Sequence, residues 1–423
     1  MNCNRWTLGL LSAGLVSLPA VIHAEEKPSS VLTALSATTL SGYVDTSANW
    51  NPGTGNANVP GYAWNNPSKS DGFNLNVVEL NLEKTVDAAD NWGAGYKFSM
   101  LAGPDANSFN TSSTGGHSDF AVKQAYVALH APVGNGLDFK MGVWDTLIGY
   151  EVFESINNPN VTRSYGYTME PTTHTGLQGS YTVNEQISVS AGIANTYGPT
   201  INGRPFLGGG TTVPATGQGP RAESFKTYLG SVTYTAPTNW GVIGGSTVTA
   251  CIIDGFNQFA PGAPVTPAGT SPADETSFYI GATVNTPVTG LKAGVSYDYA
   301  ATTAENALAS NHSKGYANAF GLYASYQISE KWSVYGRGEY ASASSPSAFF
   351  TQSSVTTSKA VYEFTGTLQY DLWKNVLSRL EFRWDHAEHG NAYGGTVPAV
   401  AGGPVLPSGN TYLTILADIA YKF

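Results

Sequence analysis

An alternation of connection lengths limits this chain most. From Thr39 onward, two-sided segments of roughly ten residues, the length of a tilted membrane strand, are joined by two kinds of link that strictly alternate. The short kind comprises Val86 to Asn91, Val133 to Gly136, Val183 to Glu185, Pro237 to Asn239, Thr286 to Gly290, Ser329 to Lys331 and Leu372 to Asn375. The long kind covers about 51–72, 104–118, 146–171, 199–222, 255–275, 303–315, 344–358 and 388–410, with Gly, Pro, Ser, Thr and Asn prominent. Seven short and eight long links divide the chain into sixteen segments, with both ends on the short-link side.

The segments read as strands. Leu377 to Asp385 sets Leu380, Phe382 and Trp384 on one face and Arg379, Glu381, Arg383 and Asp385 on the other. Val361 to Asp371 sets Tyr362, Phe364, Leu368 and Tyr370 against Glu363, Thr365, Thr367, Gln369 and Asp371. That period of two is the mark of a strand with one greasy and one polar side. Parity alone does not say which side is inside. A soluble sandwich has no reason to gather its long loops at one end, whereas a membrane barrel with short periplasmic turns and long extracellular loops does. Only 12% of residues are charged, against 48 Gly and 24 Tyr, a composition of strands and turns. No segment after the amino terminus has the ~20 apolar residues of a membrane helix, so a membrane-spanning form must be a closed barrel. The expected fold is all-β: a transmembrane antiparallel up-and-down barrel of 16 strands, with 14 or 18 if a hairpin is miscounted.

Residues 1–24 read as a secretory signal peptide. Arg5 is their one charge, Trp6 to Leu18 is apolar, and Ile22-His23-Ala24 precedes Glu25-Glu26. Cleavage after Ala24 leaves 19 basic and 30 acidic residues, a formal charge of −11. Residues 25–38 then form a short periplasmic tail and 39–423 a single barrel domain, with 145–171 as the third loop. Cys251 is the one remaining thiol, so neither a disulfide framework nor a thiolate metal cluster is available. Nothing is basic enough for nucleic acid.

Trp92, Trp240 and Trp332 each follow a short link and Trp373 sits in a fourth. Indole favours the lipid–water boundary, so these four are expected to form an aromatic girdle at one level. Enzyme motifs are missing: there is no Gly-x-Ser-x-Gly elbow, His-Glu-x-x-His or phosphate loop. His386 and His389 beside Asp385 and Glu388 are the densest metal-like group, and a solvated strand end explains them better than a metal. No catalytic residue, metal or cofactor is expected.

What remains is the polar face. The inward candidates are Lys97, Lys140, Arg337, Arg379 and Arg383 with Asp45, Glu79, Glu339, Glu363, Glu381, Asp385 and Asp418. Charges on membrane strands are costly unless they face a lumen. There they either pair and stiffen the wall or set the field of a water-filled channel. The third loop, DTLIGYEVFESINNPNVTRSYGYTMEP, carries Ile148, Tyr150, Val152, Phe153, Ile156, Tyr165, Tyr167 and Met169, enough apolar surface to fold against something.

The final stretch, TYLTILADIAYKF, alternates Leu413, Ile415, Ala417, Ile419, Tyr421 and Phe423 with Thr414, Leu416, Asp418, Ala420 and Lys422. It resembles the closing strand of bacterial outer-membrane β-barrels. That resemblance implies that Tyr421 and Phe423 act as the signal read by the outer-membrane assembly machinery. By position, the third loop resembles the constriction loop of sixteen-stranded general porins. This implies Asp145, Glu151, Glu154 and Glu170 as loop acids facing Arg337, Arg379 and Arg383, although here the ladder strands carry both acids and bases. Through VKQAYVALHAPVGNGLDFKMGVWDTLIGYE (Val122 to Glu151) and TTHTGLQGSY (Thr172 to Tyr181) the chain is similar to the OmpL-like β-barrel porin group. The resemblance implies an outer-membrane porin passing small hydrophilic solutes or ions, with outer-membrane lipid as its surroundings and a homotrimer as one allowed assembly. The alternative is an occluded surface barrel serving as adhesin, receptor or scaffold.

Overall fold

The computed structural model describes residues 38–53, 55–86, 91–109, 111, 118–205, 225–256, 274–302, 315–350, 356–395 and 405–423. The signal peptide and all of the tail except Thr38 lie outside the described residues, as do parts of every long loop but the third.

Among the described residues there are sixteen strands. They are β1 (Thr39–Trp50), β2 (Gly72–Lys84), β3 (Gly93–Ala102), β4 (Phe120–Ala131), β5 (Leu137–Asp145), β6 (Thr173–Thr182), β7 (Ile187–Ala194) and β8 (Thr227–Thr235). They continue as β9 (Thr247–Phe256), β10 (Asp274–Asn285), β11 (Leu291–Thr302), β12 (Gly315–Gln327), β13 (Trp332–Ala343), β14 (Ala360–Trp373), β15 (Val376–Ala387) and β16 (Thr411–Lys422). Each pairs with its sequence neighbour, and β1 pairs with β16, so the sheet closes on itself. Among the described residues two short α-helices, α1 (Pro104–Phe109) and α2 (Tyr165–Met169), lie in long loops. Among the described residues no helix is long and apolar enough to cross a membrane. Closure satisfies the backbone without helices, since each ladder group finds a partner on the next strand and no edge is left.

The period of two resolves into outside and inside. Leu40, Val127, Met141, Ile280, Leu322, Leu380 and Phe382 point outward and are exposed, an apolar belt suited to lipid. The charged set of the same strands is turned inward and buried: Asp45, Glu79, Arg337, Glu339, Glu363, Arg379, Glu381, Arg383, Asp385 and Asp418. Trp92, Trp240, Trp332 and Trp373 all have exposed rings at the short-link end.

Two short links differ from expectation. The β8–β9 connection runs over 236–246, not Pro237 to Asn239, because a 3-10 turn at Gly241–Ile243 follows Trp240. Trp240 therefore stands at the N-cap of that turn instead of opening the next strand. At the other site, Trp373 belongs to β14 and pairs with Val376, which leaves a two-residue turn with Asn375 at φ 68°.

The seam matches Tyr43 with Lys422 through Trp50 with Ile415. It is finished by reciprocal backbone bonds, Gly42 N to Phe423 O at 3.0 Å and Phe423 N to Gly42 O at 3.0 Å. Position 42 has no room for a side chain. A Cβ there would strike the Glu79 carbonyl oxygen and come within 2.8 Å of the Phe423 ring. Gly42→Val is therefore expected to destabilise the closed barrel by about 1–3 kcal/mol, the usual range for overpacking. Thermal unfolding of the purified barrel would show it; an unchanged midpoint would mean that the seam is looser than described.

Candidate pore constriction

Inside the cylinder, the third long loop (146–172) folds against the wall made by β13 to β16. Its apolar residues divide among three buried clusters. Ile148, with Leu147 and Tyr150, joins Trp144, Leu229, Cys251, Ile253 and Tyr279. Phe153 and Ile156 pack with Tyr43, Val77, Leu101 and Phe109. Tyr165 joins Tyr62 of the first long loop, Phe349 and Phe350 of the seventh, and Tyr393 of the eighth. Backbone bonds tie these loops together, from Gly61 N to Phe349 O at 3.3 Å and from Gly394 N to Asn58 O at 2.9 Å.

Polar contacts hold the loop in place. Wall carboxylates accept from loop amides: Glu381 from Val161 N (2.6 Å) and Thr162 N (2.9 Å), and Glu339 from Tyr165 N (2.6 Å) and Gly166 N (2.7 Å). Wall guanidiniums donate to loop carbonyls: Arg337 to Thr162 O (2.7 Å), Arg383 to Arg163 O (2.6 Å) and Arg379 to Ser155 O (2.8 Å). The Glu339 carboxylate sits at the start of α2, where unsatisfied N–H groups favour an anion. Ser164 caps the same turn by accepting from Tyr167 N at 3.0 Å. Gly166 lets the loop approach the wall closely: a Cβ there would meet the carboxylates of Asp298 (2.5 Å) and Glu339 (3.4 Å), which would have to shift.

The charges pair directly. Arg337 reaches Glu151 at 2.7 Å and Glu363 at 3.1 Å, Arg379 reaches Asp418 at 2.8 Å, and Arg383 reaches Asp385 at 2.9 Å and Glu363 at 3.9 Å. The Arg383 guanidinium also lies 3.6 Å from the Tyr62 ring centroid. All three arginine side chains are 0% exposed. The expectation of loop acids opposed to basic residues across the lumen therefore needs correction. Only Glu151 meets one of these arginines directly. The others take most of their partners from wall acids and loop carbonyls, because wall and loop touch with no solvent gap.

The remaining expected acids lie elsewhere. Asp145 is the last residue of β5 and not part of the loop; with Glu154 it grips Lys123, each at 2.7 Å. Burial pushes the Glu154 carboxyl upward, but the adjacent Lys123 ammonium outweighs this and holds it below its ordinary value. Glu170 faces Asp298 of β11. Burial first, then the neighbouring Asp298 and Glu151 carboxylates, push the Glu170 carboxyl well above the ordinary range. Lys97 and Lys140 sit on the far wall: Lys97 is 3.6 Å from Glu83, and Lys140 lies 5.1 Å from the Tyr126 ring centroid. His386 bonds Thr411 and stacks on Trp384, while His389 is exposed, so the two do not converge on a metal. Among the described residues no cluster of metal-ligating side chains is present.

Three important side chains escaped sequence reasoning. Lys123 was hidden by the register shift between Ser99 and Met100, which breaks simple parity on β4. Asp298 was open to the same parity argument that found the others, since Tyr297 points outward and Asp298 inward. Arg163 lies in an irregular loop where no periodicity applies.

Two outcomes follow. Arg337→Gln leaves Glu151 and Glu363 buried without a cation, and breaking a buried pair typically costs roughly 3–5 kcal/mol. Lower thermal stability together with protease cutting between Glu151 and Arg163 is expected; a variant as resistant as the parent would remove Arg337 from the anchor. The second concerns Glu170, whose raised folded-state pKa means that its contribution is complete below about pH 4.3, the unperturbed Glu value, and is lost as pH rises through the folded value. The unfolding midpoint should fall with rising pH more steeply in the parent than in Glu170→Gln. Equal slopes would contradict this.

Among curated proteins no relative matches the sequence. Solved structures do. An anion-selective porin from Comamonas acidovorans matches with TM-score 0.53 and 13% identity over 91% of this chain and 99% of that one. The outer membrane channel DcaP of Acinetobacter baumannii matches with TM-score 0.54 and 12% identity over 91% and 97%. OmpT, an outer membrane protein of Vibrio cholerae, matches with TM-score 0.52 and 13% identity over 91% and 97%. At such identities the likeness is one of fold. The family described as "Putative beta-barrel porin-2, OmpL-like" matches residues 37–423, nearly the whole chain. The chain belongs to that family of outer-membrane β-barrel porins.

Proposed function

We propose that this porin is a passive, water-filled channel for small hydrophilic solutes or ions, narrowed but not closed by its third loop. The observation that carries this reading is the asymmetry of the lumen. The loop is bound to β13–β16 through its backbone, while the wall from β3 to β6 keeps partly exposed polar side chains, among them Lys97, Lys140, Ser180 and Asp138. The arginines, with their donors committed to wall and loop, act as anchors. The basic charges left to act on a passing ion include Lys97, 22% exposed and 3.6 Å from the 40% exposed Glu83, and Lys140, which makes no ion pair among the described residues. The four tryptophans at the short-link end serve as interfacial anchors, and Tyr421 with Phe423 as the mark read during assembly. Cleavage after Ala24 delivers the chain across the inner membrane. A homotrimer is the proposed assembly, in keeping with the trimer form described for OmpT of Vibrio cholerae.

A second reading has its own support. The cluster joining Tyr62, Tyr165, Phe349, Phe350 and Tyr393 draws four loops over one side of the mouth, as an occluded surface barrel would require. Conductance separates the two. Purified protein inserted in planar bilayers should give discrete ion-conducting steps, and their absence would exclude the channel. Lys140→Glu reverses one lumen charge. A Coulomb change of order 1 kcal/mol in water at contact distance predicts a rise in the cation-to-anion permeability ratio of about fivefold, read from reversal potentials in a salt gradient. An unchanged ratio would remove Lys140 from the path.

A further inference from the structure

The tip of the third loop, a 3-10 turn at Ser155–Asn157, sits against the ladder that closes the barrel, β1 with β16. That ladder matches eight residue pairs, against eleven on each flanking ladder. We infer that the loop tip gauges the register of this seam, so that β1 and β16 reach their native pairing only together with docking of the loop. The inference concerns assembly and stands apart from whether the barrel conducts.

The alternation of β16 fixes its register only to within two residues. Leu413, Ile415, Ala417, Ile419 and Tyr421 share the outer face, so a slip of one residue turns that face into the lumen, whereas a slip of two keeps it in lipid. The outer face therefore does not choose between registers two apart. The lumen face does. In the native pairing Asp45 lies opposite Ala420 and Ser47 opposite Asp418, which sets two buried acids beside each other. Like charges so placed oppose pairing of the strands unless other groups sit on them.

The loop tip meets both strands. The Ser155 hydroxyl donates to Asp45 of β1, and the Ser155 carbonyl accepts from Arg379 Nη1 at 2.8 Å. The same guanidinium is paired with Asp418 of β16 at 2.8 Å. One residue on, the Ile156 carbonyl accepts from Lys422 Nζ of β16 at 3.4 Å. Phe153 and Ile156 pack with Tyr43 of β1. A single turn of loop thus holds positions 43 and 45 on one strand and, directly or through Arg379, 418 and 422 on the other. A slip of two carries β1 about 7 Å along β16, beyond the reach of a hydrogen bond. Ser155 then cannot serve Asp45 and Arg379 at once.

Disulfide trapping tests the gauge, in the full-length chain with Cys3→Ser and Cys251→Ser, refolded from urea into detergent micelles under mild oxidation. Thr46→Cys with Ile419→Cys reports the native register, in which these residues are opposed. Val44→Cys or Ala48→Cys with Ile419→Cys reports a slip of two in either direction, because a disulfide spans at most ~7 Å between Cα atoms. The parent is expected to form the native cross-link. Adding Ser155→Ala and Lys422→Met, which keep the Arg379–Asp418 pair, is expected to lower the ratio of native to slipped cross-link about three- to tenfold for each hydrogen bond lost. Tyr150→Phe, which removes the loop's bond to Thr283 on β10, is expected to keep the parent ratio. An unchanged ratio in the Ser155/Lys422 variant would overturn the gauge, as would an equal fall in Tyr150→Phe, which would make the effect one of general loop stability. Should the double variant fail to refold, the parent decides. Its native cross-link is expected to appear in step with protection of the loop from protease, and a cross-link formed while the loop is still cut would overturn the inference.

Discussion

The structure depends on how an irregular loop can be buried inside a barrel. A loop carries backbone amides and carbonyls with no ladder to satisfy them, and burying them unpaired is costly. Here the wall supplies both halves of the missing ladder. Carboxylates of Glu339 and Glu381 accept from the amides between Val161 and Gly166, and guanidiniums of Arg337, Arg379 and Arg383 donate to the carbonyls of Thr162, Ser155 and Arg163. Each of these five buried charges is offset by a counter-charge or a loop dipole. Removing one member leaves others exposed to the desolvation cost that makes buried ions expensive.

That arrangement divides the lumen. The β13–β16 side is occupied and held by charge pairing and by the aromatic cluster around Tyr165. The opposite side keeps polar side chains that stay partly exposed, among them Lys97, Lys140, Ser180 and Asp138. In this account a charge at the constriction has one of two jobs, and burial separates them: the fully covered arginines position the loop, while the partly exposed lysines act on solutes.

Much of this was legible in the sequence, and the reason is periodicity. On β15 the alternation of Arg379, Glu381, Arg383 and Asp385 with Leu380, Phe382 and Trp384 assigns every side chain, and β16 does the same up to Phe423. A closed sheet then makes neighbours of inward residues on consecutive strands, as with Arg337, Glu363 and Arg383. Where period two breaks, the reading breaks too: Lys123 lies at a register shift, and Arg163 lies in a loop. The loop was recognisable as folded from its apolar content. Its direction of approach, which turned the arginines from a water-facing ladder into anchors, depends on contacts between residues some 200 positions apart, such as Val161 with Glu381.

The central claim is that wall carboxylates hold the third loop by its backbone. Hydrogen exchange on the folded barrel in micelles tests it most directly, at the amides of Val161, Thr162, Tyr165 and Gly166. The account predicts that these exchange as slowly as amides in the neighbouring strands, despite lying in irregular structure. Exchange at the rate of a free peptide would contradict it.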